Sequence, residues 1–202
     1  MRTADPHAPT KEKLIKAGVK LMLAKGFTAT SVDEIIAEAR STKGSFFHFF
    51  KSKEDLGKAA LERYVRDYQE CLRSLMPAKP MDAATRALAR IDAAIEVFRD
   101  PAAPKSCLLG NFSQELAQTR PEIRALCAQW FTVTNEGLER DLADAGVPRA
   151  REVSNLFASV VEGSLILVKA KNDASIAVEN LIRIKSYVAA LLRARKGKGA
   201  AR

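Results

Sequence analysis

The sequence contains few of the residues that build catalytic and metal centres. Among its 202 residues are three cysteines, Cys71, Cys107 and Cys127, and two histidines, His7 and His48. The cysteines form no CxxC pair, and their odd number argues against a disulfide framework. A structural zinc site needs about four clustered Cys or His ligands, and no segment of this chain offers them. We therefore expect no metal, no cofactor and no catalytic triad.

Long apolar runs are also missing. No segment approaches the roughly 18–20 apolar residues of a membrane-spanning helix, and the first residues, MRTADPHAPTKEK, contain no apolar segment of the secretory type. With 47% hydrophobic and 28% charged residues, the composition is typical of a globular protein. We expect a cytoplasmic protein without a membrane partner, folded into one large or two small domains.

Negative charge is in deficit, and the excess of positive charge is unevenly placed. The formal net charge is +9, and the last ten residues, RARKGKGAAR, hold five cations and no anion. A basic N-terminal third ahead of a nearly neutral body indicates polyanion binding at one end of the molecule. The indication is weak alone, because a charged run is usually a solvated face. The basic end, residues 196–202, is expected to be a disordered tail.

Strand alternation, internal repeats and a glycine-rich phosphate loop are absent, whereas helical periodicity runs through most of the chain. The clearest stripe places apolar residues at i, i+3, i+4 and i+7 between positions 153 and 168. Gly26, Pro77, Pro121 and Gly146 interrupt the periodicity where helices should end. The sequence therefore predicts an all-α fold of about nine helices.

Two short helices are indicated between residues 31 and 50. Ser31 and Glu34, three residues apart, form a capping box for the first helix. Thr42 can cap the second helix after a polar break. This arrangement has the spacing of a helix-turn-helix, whose second helix enters the major groove of DNA.

The second short helix contains four phenylalanines within five residues, in the run TKGSFFHFF. At helical spacing Phe46, Phe49 and Phe50 share one face, which we expect to anchor the helix in a small core. A buried aromatic helix without a binding role is the alternative, but it does not explain the polar edge that accompanies these rings. The side chains expected to face outward, toward base edges, are Lys43, Ser45, Phe47 and His48.

The longer segment GFTATSVDEIIAEARSTKGSFFHFFKSKEDL strongly resembles the N-terminal signature of the tetracycline-repressor (TetR) family of bacterial transcription regulators, over about residues 10–60. The resemblance implies an all-α homodimer that binds double-stranded operator DNA through a domain of residues 1–56. It also implies a second domain, residues 57–195, that binds a small-molecule effector. The last two helices would pair across the dimer in a four-helix bundle, and the family's usual mode is repression.

Residues that contact DNA are expected by the same resemblance. Three positions depart from the family pattern. Arg40 and Ser41 stand where the turn commonly carries glycine and an aliphatic residue, so a positive φ would strain Arg40, which could add a phosphate contact. Phe47 replaces the usual tyrosine and can pack only against sugar or a thymine methyl. The expected set is Ser31, Arg40, Thr42, Lys43, Gly44, Ser45, Phe47, His48 and Lys53, the last meeting phosphate.

The segment KSCLLGNFSQELA resembles a branch of this family that senses reactive electrophiles or acrylate-like acids, with a cysteine at the same place. Ser106 could cap a helix there, so that the helix dipole and Lys105 would favour the thiolate form of Cys107. The alternative is a small buried hydrophobe, as Cys71 and Cys127 are expected to be. The candidate effector-pocket residues are Cys107, Phe112, Gln114, Trp130, Phe131 and Thr134. For Trp130 and Phe131 an ordinary core position is an equal alternative.

Two final apolar stripes are too wide for the surface of a monomer and predict a dimer interface. The expected interface residues are Phe157, Val160, Val161, Leu165, Leu181 and Val188. Two other functions are open. A non-specific architectural DNA binder would lack the roughly 10³-fold preference of a regulator for its site. A cysteine-dependent enzyme would need a base beside Cys107, and neither histidine is placed to supply one.

Overall fold

The computed structural model describes residues 8–103 and 105–199. Helix α9 extends to Gly199, four residues into the expected tail, whereas His7 and residues 200–202 lie outside the described ranges. The predicted all-α class with about nine helices is confirmed. Within the described ranges there are nine helices and no strand: α1 (Ala8–Lys25), α2 (Val32–Glu38), α3 (Lys43–Phe49), α4 (Lys53–Leu75), α5 (Ala83–Arg99), α6 (Leu108–Leu116), α7 (Pro121–Asp144), α8 (Ala150–Lys171) and α9 (Ser175–Gly199).

Local capping signals set the boundaries of the N-terminal helices. The hydroxyl of Ser31 accepts the Glu34 N–H at 3.2 Å, and the Glu34 carboxylate accepts the Ser31 N–H at 2.8 Å, so the predicted capping box begins α2. Thr42 accepts the Ser45 N–H at 3.1 Å and begins α3. Helix α1 ends before Gly26, whose φ of 88° is a conformation that glycine adopts without steric cost.

The chain is divided into two compact units. The first runs to Asp67 and includes Ser106–Trp130, and the second comprises Tyr68–Lys105 and continues from Phe131. Helix α6 and the first part of α7 therefore belong with the N-terminal helices. The expected boundary between residues 56 and 57 lies inside α4, and that boundary stays a prediction.

The core of the first unit combines side chains from α1 to α4 with side chains from α6 and α7. Phe27 and Phe112 meet edge to face, with their ring centroids 5.2 Å apart. Gly57 of α4 permits this contact, because a Cβ there would lie 3.1 Å from Phe27 and 3.2 Å from Phe112. The largest fully buried side chains of this unit are Leu14, Met22, Ile35, Phe46, Leu56, Leu61, Leu108, Phe112 and Ile123.

The core of the second unit joins α5 and the later part of α7 to α8 and α9. A buried carboxylate lies beside this core: Asp141 is 2% exposed. Its two oxygens accept hydrogen bonds from Arg86 Nε at 2.6 Å and Arg90 Nε at 2.5 Å. Two cations thus offset the cost of burying the charge. The apolar members include Ile91, Ile95, Leu138, Leu142, Val153, Leu181, Ile184, Val188 and Leu192.

Helix α8 is more apolar than we predicted for any segment of the sequence. By length and composition alone its 22 residues could cross a membrane, and 28% of its apolar window is buried within the described protein. The statement that no segment approaches a membrane span is therefore wrong for α8. One face of this helix packs on α9 in the second unit, so a core helix with an exposed apolar face accounts for the same composition.

Candidate nucleic-acid interface and effector-side residues

The turn between α2 and α3 contains a left-handed residue. Arg40 has a φ of 48°. Its N–H donates to the carbonyl of Ala37, and the N–H of Ser41 donates to that of Ile36, both at 3.0 Å. The strain anticipated for a positive φ is therefore present, at a cost of about 1–2 kcal/mol. The side chain of Arg40 is exposed.

Helix α3 has one buried and one exposed face. Phe46 and Phe50 are 0% and 3% exposed, whereas Phe47 is 52% exposed. Phe49 is half-buried, and so is Ser45, which we expected to face outward. The predicted division of the four phenylalanines is confirmed, but DNA contact by the exposed face stays a prediction. The exposed residues of this segment are Thr42, Lys43, Gly44, Phe47 and His48.

Ser31 is occupied by its role as a helix cap. Its hydroxyl lies 2.8 Å from the Glu34 carboxylate, which also contacts the ammonium of Lys25. The Lys25 hydrogen bond, followed by those from Ser31, lowers the pKa of Glu34 from 4.5 to about 2. A hydroxyl has a single donor hydrogen, so a phosphate contact by Ser31 would have to displace its bond to Glu34.

Lys53 is held against the protein rather than extended into solvent. Its ammonium donates to the carbonyls of Phe27 at 3.0 Å, Thr30 at 2.8 Å and Thr28 at 3.5 Å. It also lies 4.3 Å from the centroid of the Phe27 ring. The side chain therefore joins the start of α4 to the loop between α1 and α2. Its expected phosphate contact stays a prediction, and a phosphate would compete with these carbonyls.

Polar side chains in α6 and just before it donate hydrogen bonds to the end of α1, and this role was not predicted from the sequence. The Ser106 hydroxyl donates to the Leu23 carbonyl at 2.7 Å, and the Asn111 amide donates to the Met22 carbonyl at 3.1 Å. Carbonyls at a helix C-terminus lack partners within the helix. The bond from Ser106 therefore gives the Leu23 carbonyl a partner, whereas the Met22 carbonyl also accepts the Gly26 N–H at 3.0 Å and gains a second bond from Asn111.

Glu115 continues this attachment one turn further along α6. Its carboxylate accepts the N–H of Phe27 at 3.0 Å and the N–H of Thr28 at 2.7 Å. Asn111 and Glu115 are four residues apart and share a helix face. That spacing is visible in the sequence, but the partners are 89 and 88 residues distant along the chain.

Cys107 lies at the N-cap position of α6, which begins at Leu108. Ser106 does not cap this helix, so that expectation is wrong; its hydroxyl reaches the Leu23 carbonyl instead. Lys105 donates to the side-chain oxygen of Asn172 at 2.9 Å. The thiol residue itself is half-buried, which leaves part of it accessible to a small reagent.

The other two cysteines differ from each other. Cys71 is exposed on α4, so the expectation of a buried structural residue is wrong for it. Cys127 is 2% exposed, and burial raises the pKa of its thiol, although a hydrogen bond with Ser113 acts in the opposite direction. Among the described residues, no cluster of three His, Cys, Asp or Glu side chains could hold a metal ion.

The expected effector-pocket residues fall in both units. Phe112 is fully buried in the first core. Gln114 is exposed and donates to the Gly110 carbonyl at 3.3 Å. Trp130 is half-buried, and its indole nitrogen is buried without a hydrogen-bond partner among the described residues. Phe131 and Thr134 are half-buried in the second unit. Their joint role in a pocket stays a prediction.

The expected dimer residues are largely internal to one protomer. Leu165, Leu181 and Val188 are 6%, 0% and 0% exposed. Their side chains are buried within the protomer, so the expectation that these three residues form the dimer interface is corrected. The stripe that they form packs α8 and α9 into the protomer core. Phe157, Val160 and Val161 are partly buried against the same core.

A second face of α8 and α9 remains open. On α8, Leu156, Gly163 and Leu167 are exposed, and on α9 Arg183 and Tyr187 are exposed. These positions are four or seven residues apart, which is one or two helical turns, so each set lies on one face. A groove of about 540 Å³ runs between the helices, lined by Ser159, Val160, Gly163, Ser164, Leu167, Asn180, Arg183, Ile184 and Tyr187. We call this surface the outer α8–α9 face.

Two family descriptions match the chain. Residues 14–60 match the bacterial regulatory proteins of the tetR family. Residues 80–177 match the C-terminal domain of the LmrA/YxaF-like transcriptional regulators. The first match contains α2 and α3, and the second contains α5 to α8.

Individual proteins agree with these matches. The HTH-type transcriptional repressor DhaR of Mycobacterium sp. (strain GP1) is 29% identical over 61% of this chain and 63% of its own length. The transcriptional regulator AcuR of Cereibacter sphaeroides is 34% identical over 61% of this chain and 57% of its own length. The chain thus matches somewhat less than two thirds of each of these relatives.

Solved structures show the same fold. The reduced form of E. coli NemR superposes with a TM-score of 0.74 at 23% identity, covering 88% of this chain and 95% of that one. The helix-turn-helix match, the match to the C-terminal domain and the shared fold lead to one conclusion. The chain belongs to the tetR family of bacterial regulatory proteins.

Proposed function

We propose that this protein is a homodimeric transcriptional repressor that binds operator DNA and releases it when a small molecule binds. The observation that carries the proposal is the surface of α3. Two buried rings, Phe46 and Phe50, hold the helix in the core, while Lys43 and His48 remain exposed on it. An anchored helix with an exposed polar edge is what reading of the major groove requires. The relative DhaR is named a repressor, and we propose a cytoplasmic location.

The outer α8–α9 face supports the dimer. Exposed apolar side chains at Leu156, Leu167 and Tyr187 lie along it, and Gly163 leaves open space where a partner helix could approach. Two copies joined there by a two-fold axis would present two α3 helices to successive major grooves. The half-sites should then be about 34–36 Å apart and nearly palindromic.

The test of DNA recognition is selection of bound sequences from a random pool by the purified protein. A repressor should enrich one near-palindromic site and prefer it over random DNA by roughly 10³-fold or more. Lys43→Ala should weaken binding to that site by about 1–3 kcal/mol if Lys43 contacts the edge of a guanine. Lys51→Ala, at an exposed position outside α3, serves as the control for loss of one positive charge. Tight binding without enrichment would instead identify an architectural protein.

The effector is proposed to act on the segment around Cys107. The half-buried thiol at the start of α6 should react with a small electrophile faster than the buried Cys127, whose raised pKa disfavours the thiolate. Mass spectrometry after limited iodoacetamide treatment measures the order. Cys107→Ser should bind the selected DNA normally and fail to release it on treatment. If the serine variant is released as readily as the wild type, the effector does not act through Cys107. We propose no catalytic activity for this thiol.

A further inference from the structure

Phe47 is an exposed aromatic side chain on an anchored helix. It is 52% exposed, while its neighbour Phe46 is 0% exposed. The Phe47 ring lies edge to face on the Phe46 ring, with centroids 5.2 Å apart and planes at 79°. Because the supporting ring is fixed in the core, this contact restricts the side-chain freedom of Phe47 before binding.

The helix surface beside this ring is bare. Gly44 precedes Phe47 by three residues and therefore lies one turn away on the same side of α3. Apart from its chain neighbours, the one described group within 4 Å of a Cβ at Gly44 would be the Thr42 hydroxyl, at 3.9 Å. The missing side chain leaves the surface of α3 low at this position, as a shallow recess on the same side of the helix as Phe47. Such a recess suits a small apolar group.

The chemistry of the ring limits what it can recognise. A phenyl group has no hydrogen-bond donor or acceptor, so it cannot bond to phosphate or to the heteroatoms of the bases. In the major groove the apolar group on the base edges is the C5-methyl of thymine. A contact with deoxyribose would also be apolar, but it would be the same for every sequence.

We infer that Phe47, together with the recess at Gly44, recognises the C5-methyl group of a thymine in each operator half-site. Phe47 is thereby a specificity-determining residue. The inference rests on the proposed function, since it requires α3 to enter the major groove. Burial of one methyl group corresponds to about a fourfold change in affinity. Two half-sites in a symmetrical operator should together give about fifteenfold.

The experiment uses the full-length dimer and the DNA selected from a random pool. Each thymine of a half-site is replaced, one position at a time and symmetrically, by deoxyuridine, which lacks only the methyl group. Binding is measured by fluorescence anisotropy at a fixed salt concentration. One position should weaken binding by about fifteenfold in the wild type, and the other positions should change little.

Three variants assign the effect to a side chain. Phe47→Ala should bind the thymine and deoxyuridine sites equally, because the ring that contacts the methyl group is gone. Phe47→Tyr keeps the ring and should keep the penalty. Thr42→Ser removes the methyl group of Thr42, a second apolar group near Gly44, but retains the hydroxyl that caps α3. This variant should also keep the penalty.

The possible outcomes separate the inference from the proposed function. If no sequence is enriched, the proposed function fails, and this inference fails with it. If a site is enriched but every deoxyuridine replacement is silent in the wild type, only the methyl contact is wrong. If the penalty disappears in Thr42→Ser and persists in Phe47→Ala, the reader is Thr42 and the inference is overturned.

Discussion

At the scale of single residues, Lys53 shows how a charged side chain can be structural. A lysine ammonium has three N–H donors, and three carbonyl oxygens of the loop between α1 and α2 lie within 3.5 Å of it. The Phe27 ring adds a cation–π contact. The loop would otherwise leave partly buried carbonyls without these partners.

Replacing Lys53 by methionine should therefore mainly lower the free energy of unfolding, and any effect on DNA binding should be secondary. Methionine keeps much of the apolar stem but removes the donors. The Phe27 carbonyl would keep the Thr30 N–H as a partner, but the partly buried Thr30 carbonyl would lose its bond to Lys53, at a cost of about 1–3 kcal/mol. Chemical denaturation of the purified protein measures this loss. Lys51→Met, at an exposed position two residues earlier, should have little effect. Unchanged stability with uniformly weaker DNA binding would mean that Lys53 is mainly a phosphate contact.

Glu34 gives a prediction about pH. Hydrogen bonds from Lys25 and Ser31 lower the pKa of Glu34 from 4.5 to about 2. A carboxyl whose pKa is lowered in the folded state stabilises the protein fully at pH values above its pKa in the unfolded chain. This contribution is lost as the pH falls toward the folded-state pKa. The loss should occur between about pH 4.5 and pH 2. Side-chain NMR titration should place the Glu34 midpoint near the lower value.

The variant Glu34→Gln isolates this carboxyl from the others in the chain. Glutamine can still accept the Ser31 N–H but has no charge to lose. Its stability should therefore fall less than that of the wild type between pH 4.5 and pH 2. An NMR midpoint close to 4.5 in the wild type would show that the contacts of Glu34 do not persist in solution.

At the scale of elements, α6 acts as a brace for the helix-turn-helix. This nine-residue helix places Asn111 and Glu115 on the end of α1 and the loop after it, and Ser106, just before the helix, adds a third polar contact. Gly26 suits that loop because its φ of 88° would strain other residues, and a Cβ there would also displace the Glu115 carboxylate. A displacement of α6 would therefore be carried directly to the start of the helix-turn-helix.

Replacing Glu115 by alanine should open the loop locally. The amides of Phe27 and Thr28 would lose their carboxylate partner, and a hydrogen bond to a charged group contributes about 1.5–3 kcal/mol. Hydrogen exchange at these two amides should accelerate by about 10- to 100-fold. Gln114→Ala, at the exposed adjacent position, is the matched control. Equal exchange in both variants would contradict the brace.

At the scale of the whole molecule, one face of α8 contributes to the core, and we propose that its other face forms the dimer. One face packs inside the second unit through Leu165 and Val168, which are 6% and 2% exposed. The outer α8–α9 face carries Leu156 and Leu167, which are 44% and 42% exposed. A substitution can therefore affect assembly without affecting the core, provided that it lies on the outer face.

Gly163→Glu should produce a folded monomer. Among the described residues, nothing beyond the adjoining turns of α8 lies within 4 Å of a Cβ at this position. Replacing a mid-helix glycine should also favour α8 by several tenths of a kcal/mol. In the dimer the carboxylate would be buried without a partner. Analytical ultracentrifugation measures the mass, and circular dichroism measures the helix content.

Two further variants complete this test. Lys169→Glu, which adds a carboxylate at an exposed position outside the outer face, should remain dimeric. Leu165→Glu should unfold the second unit, because it buries a charge within the protomer core. A stable dimer of Gly163→Glu would place the interface elsewhere.

Structural features could be predicted from the sequence where the residues that determine them lie close together along the chain. The Ser31 capping box, the Thr42 cap and the two faces of α3 follow from residues within one or two helical turns. Short-range hydrogen bonds and helical periodicity require nothing from the rest of the chain. For that reason the sequence by itself determined the all-α class and the anchored, partly exposed α3.

Only the tertiary structure decided which of two apolar stripes on α8 and α9 becomes the core. Leu165, Leu181 and Val188 pack within the protomer, while Leu156, Gly163 and Tyr187 remain outside. Periodicity shows that a helix has an apolar face, but a helix with two such faces can bury either one. The same holds for Lys53 and Glu115, whose charges find backbone partners that lie 23 to 88 residues away along the chain. Packing selects among these partners because it brings distant backbone groups within hydrogen-bonding range of a side chain.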